Sequence, residues 1–283
     1  MSTPALSDEL KQQVHDFWDT EPCGTRYLSA GFAAQATQRY ELEPHIREFA
    51  GFASSQGRRV LEIGVGLGAD YLEWLRAGAD AVGIDLTLAA VEATSRRCVA
   101  AGFKPDLRVA DAEHLPFAEG SFDIVYSYGV LHHSPDTAAC IREAIRVLRP
   151  GGTVKLMLYN NPSLTGLMLW LRYGIWRGWS LRETVYQKLE SPGTKTFSKT
   201  WVRAQLAGME LGDIRQVFSP GDLLLNRPST RFRSRFYRVT WTLYPRWFAR
   251  TFCKRYGLFL LITATKPALY LKTKCATFAS RSQ

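Results

Sequence analysis

Three glycines at alternate positions, directly after a short apolar run, constrain this chain more than any other feature. The run Val60–Ile63 leads into Gly64, Gly66 and Gly68. Glycine lacks a Cβ and tolerates positive φ, so such a loop turns tightly and lets its backbone approach a ligand. Asp85 follows Gly68 by seventeen residues, at the end of the next apolar run, where a carboxylate can accept hydrogen bonds from two ribose hydroxyls. The pattern predicts a nucleoside-binding site.

The spacing of the glycines distinguishes two kinds of nucleoside ligand. A dinucleotide site typically shows Gly-x-Gly-x-x-Gly, where the start of a helix cradles a pyrophosphate. This chain has Gly-x-Gly-x-Gly instead, and Glu62 stands two residues before the first glycine. The spacing therefore favours S-adenosylmethionine (SAM), whose methionine tail carries no phosphate, over NAD.

Strand and helix signals alternate from residue 58 onward. Strands are predicted at 58–63, 81–85, 106–110, 122–128 and 152–159, and helices at 68–77, 87–101 and 137–148. Two more strand signals follow, at 213–218 and 258–264. This alternation predicts an α/β fold with a parallel sheet, helices on both faces, and ligands at the carboxyl ends of the strands.

Five segments are predicted along the chain. They are a helical N-terminal segment (1–56, with helices at 7–20 and 36–53), a core with the predicted SAM site (57–160), an aromatic helical insertion (161–197), the C-terminal part of the core (198–266, with a helix at 198–208 and a basic aromatic insertion at 219–256), and a tail (267–283). The insertion at 161–197 is compatible with a lid, a membrane-touching helix or part of the core.

The composition limits the class of protein. With 46% apolar residues among 283, the chain can build a sizeable core. Its five cysteines are scattered without a Cys-x-x-Cys pair, and the histidines show no zinc-ligand spacing, so we expect a reducing cytoplasmic setting and no metal. The N-terminus lacks the features of a secretory signal, and no apolar run reaches the roughly 20 residues of a membrane span. We expect a cytoplasmic protein, with peripheral membrane contact left open.

Charge is distributed unevenly along the chain. Residues 1–150 hold 14 basic and 21 acidic side chains, a net charge of −7, whereas residues 151–283 hold 22 and 5, a net charge of +17. Nothing acidic follows Asp222, and aromatic residues are interleaved with arginines at 231–238 and 241–250. Such a surface attracts a phosphorylated substrate, an anionic lipid or nucleic acid. The alternative is a solvated basic face whose aromatic side chains turn inward.

Five motifs in sequence order resemble those of the class I SAM-dependent methyltransferases, in the methyltransferase type 11 branch. They are Val60–Gly68, Gly83–Leu86, Ala110–Phe117, Ser121–Val125 and Arg146–Gly152. Two flanking motifs, Phe17–Gly24 and Arg39–His45, are similar to a subgroup of that branch. The resemblance implies a Rossmann-like fold with a seven-stranded, mostly parallel sheet. It also implies SAM as cofactor and S-adenosylhomocysteine as product.

The resemblance also implies a role for each motif in holding the cofactor. The glycine loop would pass beside the methionine part, and Glu62 would order that loop or reach the methionine amine through water. Asp85 would hold the ribose, Leu86 would lie against adenine, and Asp111 with the backbone of Ala112 would read the adenine edge. The implied cofactor residues are Glu62, Gly64, Gly66, Gly68, Asp85, Leu86, Asp111, Ala112 and Tyr128.

The acceptor side is predicted from two further groups of residues. Tyr128, His132 and His133 follow the fourth strand and are the candidate catalytic residues, since a histidine can take a proton from an attacking hydroxyl. The alternative is that the two histidines only shape the loop. In similar enzymes the helices before the first strand fold over the cofactor, so segment 1–56 is the predicted lid and its aromatic and polar residues form the candidate substrate site. These are Phe17, Trp18, Arg26, Tyr27, Tyr40 and His45. The alternative is that they only pack the N-terminal helix onto the domain.

The function predicted from the sequence is transfer of a methyl group from SAM to a small-molecule or lipid-linked acceptor, by in-line displacement at an O, N or C nucleophile. The acceptor could be anionic, and residues 227–255 are the candidate for peripheral membrane contact. Two alternatives stay open. One is an RNA-modifying methyltransferase that uses the basic aromatic region. The other is a non-catalytic, membrane-associated scaffold that binds SAM.

Overall fold

A seven-stranded sheet forms the centre of the molecule. The structure is a computed structural model that describes residues 4–20, 31–191, 193–225 and 242–268. The strands are β1 (Arg59–Ile63), β2 (Asp80–Asp85), β3 (Asp106–Val109), β4 (Phe122–Tyr128), β5 (Leu148–Tyr159), β6 (Glu210–Val217) and β7 (Phe259–Thr265). Their spatial order is β3-β2-β1-β4-β5-β7-β6, with β7 antiparallel to both of its neighbours and the other pairings parallel. The predicted α/β fold with a mostly parallel sheet is confirmed.

Ten α-helices are bounded within the described residues. They are α1 (Pro4–Thr20), α2 (Gly31–Leu42), α3 (His45–Ala50), α4 (Ala69–Arg76), α5 (Leu88–Ala100), α6 (Thr137–Val147), α7 (Leu164–Leu169), α8 (Leu181–Lys188), α9 (Lys199–Gln205) and α10 (Arg246–Phe252). Side-chain caps fix several of the starts: Thr87, Asp136, Ser163, Ser180 and Ser198 each accept a backbone N–H at the N-cap position.

The predicted helix at 36–53 is wrong in its extent. The structure has two helices there, α2 and α3, which meet at Pro44. Proline lacks a backbone N–H and its ring clashes with the carbonyl four residues earlier, so the first helix cannot continue through it. Gly51 then ends α3 in the left-handed conformation, with φ of 69°. The separation matters for the site, because α2 and α3 approach the sheet independently.

The sheet has a hydrophobic core on each face. In β1, Leu61 and Ile63 belong to the core that also contains α6, whereas Val60 points into the core under α3 and α4. Side chains alternate between the faces with a period of two, so Glu62 is directed to the same side as Val60. A carboxylate is thereby placed at the end of the central strand, beside the start of α4.

Two insertions follow strands at the carboxyl edge of the parallel sheet. The first, after β5, contains α7, a π-helical turn (Trp170–Gly174) and α8. The second lies between β6 and β7 and includes α10, and its residues 226–241 are outside the described part. In the ranges that the structure describes, no helix has both the length and the apolar character needed to cross a bilayer.

Candidate functional site

A cleft lies at the carboxyl ends of β1, β2 and β4. Nine of its lining residues are those that sequence analysis assigned to the cofactor: Glu62, Gly64, Gly66, Gly68, Asp85, Leu86, Asp111, Ala112 and Tyr128. The N-terminal helices α1 and α2 supply further lining residues, namely Lys11, Val14, Trp18, Gln35 and Arg39. The strand order brings these groups together because β1 lies between β2 and β4.

The glycine loop between β1 and α4 is possible only without side chains at two positions. Gly64 and Gly68 have φ of 81° and 72°, in the left-handed region. A Cβ on Gly64 would lie 2.2 Å from Val130 Cγ2, and one on Gly68 would lie 2.7 Å from Thr94 Cγ2. Glycine is therefore required there by backbone conformation and by close packing.

Asp85 fixes the shape of this loop as well as lining the cleft. Its Oδ2 accepts a hydrogen bond from Gly66 N at 3.1 Å, and its Oδ1 accepts from Thr87 N and Thr87 Oγ1, each at 3.0 Å. Burial raises the pKa of Asp85, although these hydrogen bonds oppose the rise. Each carboxylate oxygen has about two acceptor sites, so Oδ2 keeps capacity for a ligand hydroxyl.

Glu62 presents a buried carboxylate to the cleft. Its residue is only 4% exposed, and its Oε2 has no hydrogen-bond partner among the described residues. Burial, together with the nearby charge of Asp70, raises the pKa of Glu62 well above its usual value. A buried polar atom without a partner is rare and costly. The site is therefore suited to a cationic ligand group such as an ammonium.

A partly buried ion pair joins helix α2 to the first turn of α4. Asp70 accepts hydrogen bonds from Arg39 Nε at 3.1 Å and Nη2 at 2.7 Å, and from the hydroxyls of Tyr40 at 3.0 Å and Tyr126 at 2.9 Å. Burial alone would raise the pKa of Asp70, but Arg39 and these hydrogen bonds lower it. Because Arg39 also lines the cleft, it brings positive charge to the region beside Glu62.

Asp111 is joined to the N-terminal helix. Its Oδ2 accepts from Lys11 Nζ at 2.7 Å, and its Oδ1 accepts from Glu113 N at 2.9 Å. Lys11 Nζ also donates to Glu113 Oε2 at 2.7 Å. The predicted adenine-reading carboxylate therefore already shares one oxygen with a lysine of α1.

Helix α1 covers part of the cleft through one of its two adjacent aromatic residues. Trp18 lines the cleft, and its ring meets His133 edge-on with centroids 5.1 Å apart. Phe17 instead packs edge-on against Trp18 at 5.0 Å and is not among the lining residues. Arg26 and Tyr27, also predicted for this lid, lie outside the described residues.

His133 is the predicted catalytic histidine that reaches the cleft. Its Nδ1 lies 2.8 Å from Ser191 Oγ and 3.2 Å from Thr194 Oγ1, and its Nε2 lies 3.5 Å from Glu190 Oε2. Glu190 Oε2 also accepts from the Tyr159 hydroxyl at 2.9 Å. Burial lowers the pKa of His133 to about 3. The ring is therefore neutral at physiological pH.

His132 does not reach the cleft, which corrects its place among the candidate catalytic residues. Its ring is fully buried and stacked on Tyr159, with centroids 3.7 Å apart. Neither of its nitrogens has a hydrogen-bond partner among the residues described, and burial lowers its pKa well below the usual value. His132 and His133 lie in a 3₁₀ turn, where successive side chains diverge by about 120°. One ring can therefore face the cleft while the other enters the core.

Tyr128 lines the cleft with its ring but has its hydroxyl engaged elsewhere. That hydroxyl lies 2.7 Å from His45 Nε2. Burial, with the charge of Glu43, raises the pKa of Tyr128 well above its usual value. Tyr40 bonds Asp70, and neither Tyr40 nor His45 is a lining residue. The structure corrects their predicted place at the acceptor, because both brace α2 and α3 against the core.

Among the residues that the structure describes, two groups of side chains could hold a metal ion. They are His132, His133 and Glu190, and Asp111, Glu113 and His114, with the ligand atoms of each group within 4.8 Å of one another. In the second group Lys11 already pairs with both carboxylates, which opposes a cation. In the first group one ligand is the buried His132. These arrangements do not by themselves assign a metal.

Sequence analysis did not assign four residues that the structure brings to the site: Lys11, Arg39, Asp70 and Glu190. Arg39 begins one of the flanking motifs, which was a signal that could have been used. Asp70 follows Gly68 by two residues, and a carboxylate in the first turn of a helix is common for electrostatic reasons alone. Lys11 and Glu190 carry no local signal, since each meets its partners across a large separation in sequence.

Comparison with known proteins identifies the family of the core. Residues 61–156 match the family model described as a methyltransferase domain. This segment is a methyltransferase domain. The match confirms the resemblance to the class I, type 11 branch, and the domain contains Glu62, the glycine loop, Asp85 and Asp111. The lid residues of α1 and α2 and both insertions lie outside the matched residues.

The methyltransferase domain is similar in sequence to several curated enzymes. Phthiotriol/phenolphthiotriol dimycocerosates methyltransferase 1 of Mycobacterium ulcerans is 33% identical over 175 residues, 55% of this chain and 62% of the relative. A ubiquinone biosynthesis O-methyltransferase of Paracidovorax citrulli is 30% identical over 162 residues, 56% of this chain and 63% of the relative. The chain thus spans less than two thirds of the length of these relatives.

Solved structures share the fold over most of the chain. Geranyl diphosphate C-methyltransferase from Streptomyces coelicolor A3(2) has a TM-score of 0.61 at 15% identity, covering 94% of this chain and 99% of its own. A chain from the complex between the Haloferax volcanii Trm112 methyltransferase activator and a putative methyltransferase has a TM-score of 0.56 at 19% identity. The match covers 90% of this chain and 97% of that chain. At these identities the likeness shows the fold, and it confirms the Rossmann-like methyltransferase architecture.

Proposed function

We propose that this protein transfers the methyl group of SAM to a small-molecule or lipid-linked acceptor and releases S-adenosylhomocysteine. The observation that carries the proposal is the meeting of Glu62, Asp85 and Asp111 on one cleft of a methyltransferase domain. The names of the relatives agree with it: one is a phthiotriol/phenolphthiotriol dimycocerosates methyltransferase and another is a ubiquinone biosynthesis O-methyltransferase.

The residues of the cleft fit the parts of SAM. Glu62, with its unpartnered buried oxygen, suits the methionine ammonium. Arg39 suits the methionine carboxylate. Asp85 suits the ribose hydroxyls. Asp111 suits the adenine amine. Its Oδ2 would then accept from both Lys11 and the amine, or the amine would replace Lys11 there.

SAM supplies a methyl group on a cationic sulfur whose leaving group is neutral, so the protein mainly has to align the acceptor and exclude water. Trp18 and Val14 of α1 place apolar side chains along the cleft, which serves both purposes. A general base is needed only for an acceptor that must lose a proton.

We assign His133 as the general base that accepts this proton. If its Nδ1–H is donated to Ser191 Oγ, which lies at 2.8 Å, its Nε2 is left as the acceptor. Glu190 Oε2, 3.5 Å from Nε2, would then stabilise the imidazolium that forms. Because burial lowers the pKa of His133 to about 3, transfer to it requires an acceptor whose own proton becomes acidic as the methyl transfers.

Calorimetric titration with SAM tests the cofactor half of the proposal. Asp85→Ala should weaken binding by about 1.5–3 kcal/mol, because a charge-assisted hydrogen bond to the ligand is lost. Asp80→Ala is the matched control, since Asp80 lies exposed at the opposite end of the same strand. Equal affinity of wild type and Asp85→Ala would contradict the assigned site.

Transfer of a labelled methyl group from SAM into a fractionated cell extract tests the acceptor half. Label in a small-molecule or lipid fraction, lost in the Asp85→Ala variant, is the expected result. Label in RNA would favour the RNA-modifying alternative, toward which the basic C-terminal half pointed. Binding of SAM without any transfer would favour a non-catalytic scaffold.

A further inference from the structure

Two segments with exposed apolar side chains leave the sheet at the edge where the cleft lies. Strand β5 ends at Tyr159, which pairs with Phe259 at the start of the antiparallel β7. The segment 161–188 follows β5, and the segment 242–256 precedes β7. The first segment therefore begins, and the second ends, at the carboxyl edge of the parallel strands. This edge also carries the ends of β1 and β4.

The first segment has an apolar stripe facing outward. Leu167, Leu171 and Ile175 recur every fourth residue through α7 and the turns after it, which places them on one face. All three are exposed, and the neighbouring Trp176 is 83% exposed. Residues 161–188 contain four basic side chains and one acidic side chain. The stripe is thus apolar and its surroundings are positively charged.

The second segment has the same character. Leu243, Trp247 and Phe252 are 74%, 69% and 64% exposed, and Phe248 is also exposed. Four basic residues accompany them, namely Arg246, Arg250, Lys254 and Arg255. No acidic residue occurs between 242 and 268. The rings of Trp247 and Phe248 and those of Phe248 and Phe252 contact each other, and a contiguous exposed apolar patch often marks an interaction site.

One buried residue, Asp222, contacts the start of each segment, through its carboxylate for the first and its backbone carbonyl for the second. Asp222 Oδ1 accepts from Thr165 N and Oγ1, both at 2.8 Å, at the start of α7. The carbonyl oxygen of Asp222 accepts from the Tyr244 hydroxyl at 2.9 Å, just before α10. The beginnings of both segments are thereby fixed to the same residue. We name their exposed apolar residues and the basic residues around them the aromatic–basic face.

We propose that the aromatic–basic face docks on an anionic bilayer surface. Tryptophan and phenylalanine among leucines suit the boundary between headgroups and acyl chains, and clustered lysine and arginine residues are attracted to anionic lipid. The excess of positive charge in this half of the chain supplies the charge complementarity. Docking here would set the cleft edge of the sheet toward the membrane, and so deepens the lipid-linked part of the proposed function.

Sedimentation of the full chain with vesicles tests this inference. Phosphatidylcholine vesicles are compared with vesicles of phosphatidylcholine and phosphatidylglycerol, without SAM or acceptor, so that docking and methyl transfer can fail independently. Wild type should bind the anionic vesicles and should be released by salt. Arg250→Gln, Lys254→Gln and Arg255→Gln together should weaken binding about a hundredfold, at about 1 kcal/mol per charge.

The apolar contribution is tested by Trp176→Ala combined with Trp247→Ala. This pair should weaken binding at least tenfold and leave the salt dependence in place. Leu88→Ala with Val99→Ala removes exposed apolar side chains from α5 and should have no effect on sedimentation. All of these positions are exposed, so thermal unfolding of each variant should match that of wild type.

Three results would overturn the inference. One is wild-type protein that stays in the supernatant with anionic vesicles while still binding SAM. Another is self-association of the wild-type protein in sedimentation velocity that disappears in the variant combining Trp176→Ala and Trp247→Ala. That result would make the face a contact between copies of this chain. The third is a salt-dependent shift with RNA in the absence of vesicle binding, which would assign the basic residues to nucleic acid.

Discussion

Lys11 Nζ lies 2.7 Å from Asp111 Oδ2, across a separation of 100 residues in sequence. The same ammonium donates to Glu113 Oε2 at 2.7 Å. Burial opposes the charge on Lys11, but its hydrogen bonds to the two carboxylates raise its pKa. These contacts join helix α1 to the carboxylate that we assign to adenine, so under that assignment one oxygen would serve both the helix and the base.

Lys11→Met should release helix α1 from the cleft. We expect faster amide hydrogen exchange across Pro4–Thr20, because the ion pairs that join this helix to the loop after β3 are lost. Global stability should fall by only about 0–1 kcal/mol, since the pair is partly exposed. Lys104→Met, at an exposed position, is the control. Unchanged exchange in α1 would show that apolar contacts alone hold the helix.

Ligand binding should release a proton from Glu62. Burial, with the charge of Asp70, raises the pKa of Glu62 in the ligand-free protein, whereas a ligand ammonium beside it would lower that pKa. Calorimetry of S-adenosylhomocysteine binding in buffers of different ionisation enthalpy measures the release. Glu62→Gln should abolish it, and Glu92→Gln, on the surface of α5, should not. Binding without proton release at mildly acidic pH would place the ammonium elsewhere.

The two buried histidines should make folding sensitive to mild acid. Burial lowers the pKa of His133 to about 3 and that of His132 well below its usual value. Their contribution to stability is therefore complete above the unfolded pKa of about 6.5 and is lost as pH falls below it, by up to about 1.4 kcal/mol per unit for each ring.

His132→Phe is the variant that checks this dependence. It should reduce the slope of unfolding free energy against pH below about 6.5 and should keep the ring stacked on Tyr159. Because it also removes two buried nitrogens without partners, it should not destabilise the protein at neutral pH. His114→Gln, at an exposed position, should leave the slope as in wild type. An unaltered slope in His132→Phe would mean that His132 is solvated.

Asp222→Asn should destabilise the fold without touching the cleft. Asp222 Oδ2 accepts from Ser219 N at 2.8 Å and from Leu258 N at 2.7 Å, and Oδ1 accepts from Thr165 N. An amide nitrogen in place of either oxygen leaves at least one buried N–H without an acceptor, at a cost of about 1–3 kcal/mol. Denaturant unfolding measures the loss.

Asp213→Asn is the control for that substitution, because Asp213 is exposed on β6. SAM affinity of Asp222→Asn should equal that of wild type in conditions where both are folded. A variant as stable as wild type would show that ordered water replaces the lost acceptor.

The cofactor side of the cleft was predictable because its signals are local. Glycine at φ of 81° and 72° is a requirement of a few consecutive residues, and the strands before Gly64 and Asp85 follow from short apolar runs. A parallel sheet then places the carboxyl ends of these strands on one edge. The nine predicted cofactor residues accordingly line one cleft.

The acceptor side was less predictable because small geometric differences decide it. His132 and His133 are adjacent in sequence, yet one is stacked in the core on Tyr159 and the other lines the cleft. The 3₁₀ turn that separates their directions is not encoded by the two histidines themselves. His45, directly after Pro44, likewise lies 2.7 Å from the Tyr128 hydroxyl and does not line the cleft.

The sequence by itself determined the Rossmann-like methyltransferase core, the glycine loop and the place of Asp85 at the end of β2, since each depends on backbone conformation and strand periodicity within a short segment. Only the tertiary structure decided that Lys11 pairs with Asp111, that Arg39 pairs with Asp70, and that Glu190 faces His133. Those contacts join residues far apart in the chain, and they form only when helices and insertions pack against the completed sheet.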